Sequence, residues 1–104
     1  MRFDIEISEM AQKRYDDILH YIAFELKNPQ AVKNIVEDFD NALDQLENNA
    51  DSFGFCNSKK LCDMGFQKLP FRKHRYIIVY RIKKDKVIIE GIYHELQDYE
   101  NAIN

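Results

Sequence analysis

The feature that most constrains this chain is a change in the period of its apolar residues. From Ala11 to Leu46 they recur every three or four positions, and from Gly65 to His94 they alternate or run together in β-branched stretches. The first pattern suits helices that bury one stripe, the second suits strands that bury a face. Before both, Phe3, Ile5 and Ile7 alternate with Arg2, Asp4 and Glu6, which predicts a strand over Arg2–Ile7. Ser8 then stands where an N-cap belongs, ahead of the stripe Ala11, Tyr15, Ile18, Leu19, Ile22 and Leu26. Asn28-Pro29 divides this helix from the next, because Asn caps and Pro gives up only an amide that has no intrahelical partner at a helix start. The second stripe is Val32, Ile35, Val36, Phe39, Ala42, Leu43 and Leu46. So short a break implies an antiparallel hairpin.

Asn48–Ser52 ends the second helix, and the stretch to Asp63 has no clean period, so a loop with room for a helical turn is expected there. Three strands come next, over Gly65–Leu69 closed by Pro70, Arg75–Ile82, and Val87–His94, with Lys83–Lys86 as a tight turn between the last two. Leu96, Tyr99 and Ile103 keep helical spacing and suggest a short C-terminal helix or a frayed tail. The expected fold class is α+β: an N-terminal strand, then an antiparallel helical hairpin on one face of a mostly antiparallel four-stranded sheet, in the order β-α-α-β-β-β. At 104 residues with 12% aromatic content, residues 1–104 are expected to form a single domain with room for one site. The open face of the sheet, near the basic turns, is its expected place.

No segment approaches the ~20 consecutive apolar residues of a membrane span, and the charged, alternating N-terminus is unlike a signal peptide. A cytoplasmic location and no membrane partner are therefore expected. Cys56 and Cys62 are separated by Asn57-Ser58-Lys59-Lys60-Leu61 and have no His nearby, which matches no common zinc spacing and points to ordinary thiols. The acids Glu37, Asp38, Asp40 and Asp44 are expected to form the wet face of the second helix rather than a metal site. Neither metal nor cofactor is implied.

The net charge of −3 hides an asymmetry. Residues 1–54 hold 5 basic and 12 acidic groups, and residues 55–104 hold 10 basic and 6 acidic groups. All 10 of those basic residues lie between Lys59 and Lys86, where only Asp63 and Asp85 oppose them. Such a band attracts a polyanion or an acidic protein segment.

The chain resembles the RelE/ParE superfamily of bacterial toxins over nearly its whole length. The resemblance rests on the order of elements and on four local runs: Tyr21-Ile22-Ala23, Pro29-Gln30-Ala31, His74 through Ile82, and Ile92-Tyr93-His94 followed by Gln97-Asp98. It implies the toxin of a type II toxin–antitoxin pair of the plasmid-stabilisation type, with a cognate antitoxin as partner. It also implies one of two activities. RelE- and YoeB-like members cut mRNA, usually on the ribosome, without a metal, whereas ParE-like members poison DNA gyrase by binding. A non-toxic remnant that still pairs with an antitoxin is a further alternative. ParE-like tails often read His-x-x-Arg-Asp, and here Gln97 stands in the Arg position.

Of the two activities the basic band favours mRNA cleavage, which needs a proton acceptor, donors for charge growing on phosphorus, and an acid for the leaving oxygen. His94 is the candidate acid/base, since imidazole exchanges a proton near neutrality and the resemblance places a His there. Arg75 can hold a phosphate bidentately, and Lys68 on the preceding strand is expected to reach the same phosphate. Arg72, Lys73, Lys59 and Lys60 are candidate phosphate-positioning contacts, and Arg81 extends the basic track. Tyr93 and Tyr99 are candidates for stacking on unpaired bases. His20 is assigned to structure, and His74 has no evident partner.

Overall fold

The computed structural model describes residues 2–102, which excludes Ile103 of the expected tail stripe. Strand β1 spans Asp4–Ile7 and helix α1 spans Glu9–His20, with the Ser8 hydroxyl accepting from the Ala11 amide at 3.1 Å. Helix α2 runs over Pro29–Asn49, and its Asn28 cap accepts from the Ala31 amide. A short helix α3 covers Lys59–Asp63, and after it come β2 (Phe66–Pro70), β3 (Tyr76–Lys83), β4 (Lys86–His94) and a last turn α4 (Tyr99–Ala102). This is the expected α+β layout.

One boundary differs for a physical reason. The first helix does not run to Leu26 with one stripe, because Tyr21–Glu25 widen into a π turn, closed by the Leu26 amide on the Tyr21 carbonyl at 3.2 Å. The wider turn rotates the end of the helix, so Leu26, expected inside, is 56% exposed. Lys27 then takes φ 50° to start the descent into α2. Helix α3 is the helical turn for which the expected loop left room, its five residues being too few for a periodic signal. Its marker is the Ser58 cap.

The sheet order is β1-β4-β3-β2, with β1 parallel to β4 and the other pairs antiparallel. Ile22, Ile35, Phe39 and Leu46 of the hairpin pack on Ile78, Tyr80, Val87, Ile89 and Ile92 of the sheet, and each such buried side chain contributes roughly 1.5–3 kcal/mol. Gln67 and Tyr80 sit fully buried because each finds backbone acceptors: the Tyr80 hydroxyl donates to the Ala50 carbonyl at 2.6 Å, and the Gln67 amide to the Phe53 carbonyl at 2.8 Å.

The opposite face of the sheet is not open, contrary to expectation. Cys56, Leu61, Phe66, Ile77, Val79, Tyr93 and Tyr99 form a second apolar cluster there, under the loop that carries α3 and under α4. Glu100 ties these covers together by accepting from the Asn57 and Ser58 amides. The physical cause is the composition of β3 and β4: Ile77, Val79 and Tyr93 make that face apolar too, and an apolar face must be covered.

Candidate functional site

Strand alternation decides which candidate residues can meet. Tyr76 pairs in register with His94 and faces the helices. Lys68 and Arg81 share the face of Phe66 and Val79, on the other side. The expected convergence of His94 with Lys68 is therefore absent, since a sheet stands between them.

His94 ends β4 in a tight turn. Its amide donates to the Gln97 side-chain oxygen at 2.8 Å, its carbonyl accepts from the Gln97 amide at 3.0 Å, and its Nδ1 accepts from the Leu96 amide at 3.1 Å. With Nδ1 accepting, the neutral ring carries its proton on Nε2. The lone pair that a general base would use is thus already engaged. Gln97, noted in the sequence for its missing charge, closes this turn through both backbone and side chain.

Part of the basic band is answered within the protein. Arg75, one residue ahead of β3, lies 3.6 Å from Glu95, Arg81 lies 3.0 Å from Glu90 with its guanidinium over the Phe66 ring, and Lys59 lies 2.9 Å from Asp63. Lys60 joins Lys59 on α3 rather than on the sheet. Lys68 faces the second cluster, near Cys56. Burial and, less strongly, Glu100 push the Cys56 thiol up to about 11, while Lys68 opposes the rise. Tyr93 and Tyr99 are both buried and stack on each other at 5.8 Å. That corrects their assignment as base-stacking platforms, because neither ring has a free face.

Arg72 and Lys73 are held by their backbone. Asp38 of α2 accepts from the Arg72 amide at 3.1 Å, the Lys73 amide at 2.9 Å and the His74 Nδ1 at 2.7 Å. Its side chain is 1% exposed, so its place on a wet helix face is overturned, and His74 gains a partner. Burial raises the Asp38 carboxyl, but the His74 ring and the two amides outweigh it and hold the group below its ordinary value. A polar hollow of about 350 Å³ lies beside it, between Asn34, Glu37 and Asn41 of α2 and Lys73 and His74 of the loop.

His94 instead opens onto a groove of about 280 Å³ between α1 and the sheet. Arg14, Asp17, Ile18 and Tyr21 form its helical wall, and Tyr76, Ile92, His94 and Gln97 the other. The His94 ring stands edge-on to Tyr76 at 5.4 Å. Arg14, not singled out in the sequence, reaches over the Tyr93 ring at 4.5 Å. Its Nε is buried with no hydrogen-bond partner. The groove exists because β1 pairs with β4 only as far as Ile7 opposite Ile89, so among the described residues no strand flanks 90–94 on that side. Its mixture of Arg, His, two phenols and apolar side chains suits an extended or helical protein segment better than a small substrate.

A family model described as the ParE toxin of the type II toxin–antitoxin system, parDE, matches residues 5–99. Among solved structures, the chromosomal ParDE TA system from P. aeruginosa is similar with a TM-score of 0.69, at 18% identity over 89% of this chain and 96% of that one. At that identity the likeness is one of fold. No curated protein matches in sequence.

Proposed function

Since the chain belongs to the ParE toxin family of type II toxin–antitoxin systems, we propose that it is the toxin of such a pair and arrests growth by binding DNA gyrase. Binding is favoured over RNA cleavage by one observation: the candidate acid/base and the candidate phosphate holders do not gather at one point, with His94 on the helical side of the sheet, Lys68 and Arg81 on the other, and Arg75, beside His94 at the sheet end, paired with Glu95. Scattered groups cannot stabilise one transition state, because transition-state stabilisation needs donors within hydrogen-bond reach of the same reacting atoms. The His94 Nδ1 contact with Leu96 points the same way. The cognate antitoxin would neutralise the toxin by covering exposed surface, with an acidic segment steered by the remaining basic residues.

The test is to induce the chain without its partner and follow transcript integrity and plasmid supercoiling together, with purified protein added to a gyrase supercoiling assay. Supercoiling is expected to fail while transcripts stay whole, and His94→Ala is expected to arrest growth as the parent does. Transcripts cut before supercoiling changes, with arrest lost in His94→Ala, would instead select mRNA cleavage on or off the ribosome. Harmless expression would select an antitoxin-binding remnant.

A further inference from the structure

Three residues of the groove's helical wall continue a stripe that begins at Met10 of α1 and that the proposed action does not use. Met10, Arg14, Asp17 and Tyr21 recur at spacings of four, three and four, the seam spacing of paired helices. Met10 and Tyr21 are 59% and 55% exposed, unusual for side chains of that size on a helix whose other flank is polar. Read in the reverse direction the stripe matches itself: an antiparallel copy centred between Tyr15 and Asp16 brings Met10 to Tyr21 and Arg14 to Asp17.

We propose that this chain pairs with a second copy of itself through that flank of α1, in a twofold contact where Met10 packs on the partner's Tyr21 and Arg14 meets the partner's Asp17. Each contact then occurs twice, as a twofold interface requires. The thioether against the phenol ring and the guanidinium against the carboxylate are both favourable pairs. Asp17 is available, because its present contact is an exposed i,i+4 pair with Lys13 at 3.3 Å, a kind worth little in water. Arg14 is preorganised over Tyr93, and its buried Nε lacks a partner in the single chain. The missing strand beside residues 90–94 leaves room for a second helix along the sheet edge. A partner of unrelated sequence would require no such reciprocity within α1. The inference is independent of whether gyrase is the target.

Sedimentation equilibrium of the purified chain over a range of concentrations tests it. The parent is expected to show a monomer–dimer equilibrium, weakened roughly tenfold or more by Asp17→Lys or Arg14→Glu, since each places like charges across the contact. An equimolar mixture of the two variants, now opposite in charge, is expected to recover association as a heterodimer. Arg14 also packs on Tyr93, so Met10→Asp serves as an independent disruptor remote from that ring if Arg14→Glu does not fold. A parent that stays monomeric, a dimer indifferent to Asp17→Lys and Met10→Asp, or folded variants whose mixture fails to associate would overturn the proposal. So would finding that only an antitoxin covers this flank.

Discussion

Replacing Asp38 with Ala leaves the Arg72 and Lys73 amides and the His74 ring without their acceptor, and is expected to cost about 2–4 kcal/mol in a denaturant titration. Asp38→Asn keeps an acceptor oxygen and should cost less. The carboxyl is depressed below its ordinary 3.8 because hydrogen bonds from His74 and the two amides outweigh its burial. A depressed acid contributes stability that is complete above the unfolded-state value and is lost as pH falls through the folded one. The stability gap between parent and Asp38→Asn should therefore be full near neutrality and shrink below about pH 4, as measured by unfolding at stepped pH. None of this is legible from the helical period, which fixes the angle of position 38 on α2 but not which distant loop is laid across it. His74, 36 residues away, has no evident partner in the sequence for the same reason. Arg14 is the converse case, since its residue type is plain but its reach around the sheet edge is not.

At the scale of elements, the helices, their Ser8 and Asn28 caps and the three later strands follow from patterns that span several turns or pairs. The π turn at Tyr21–Glu25 and the register shift at Val79 and Tyr80 escape because each involves too few residues to carry a period, and the α3 turn shows only as room for one. Gly91 marks the most constrained stretch of β4. A Cβ there would overlap the Tyr93 ring, which is held by its stack on Tyr99 and by Arg14 above it. Gly91→Ala must therefore displace a ring with no slack, and a loss of roughly 1–3 kcal/mol is expected. The loss should appear as a lower melting temperature, accompanied by faster amide exchange at Asn57 and Ser58 as Glu100 lets go.

For the whole molecule, the layered α+β plan is legible in the sequence, and the covering of the second face is not. The basic residues draw attention to that face, while Ile77, Val79 and Tyr93 on the same strands require a lid over it. The candidate site disperses in consequence, with the acid/base on the helical side of the sheet and Lys68, Arg81, Tyr93 and Tyr99 on the covered side. The parallel joint between β1 and β4 has a kinetic meaning. Asp4 lies opposite Lys86 and Ile7 opposite Ile89, so β1 waits for a strand that is synthesised long after it, and joining distant segments is slow because loop closure precedes any reward. Ile5→Ala should accordingly leave the refolding rate nearly unchanged and accelerate unfolding, read from the two limbs of a stopped-flow chevron plot. On the ribosome, a growing chain whose residues 86–94 are still in the exit tunnel holds an N-terminal strand with nowhere to dock. Until synthesis passes that point the newborn polypeptide stays open, and a binding protein made alongside it has that interval in which to engage it.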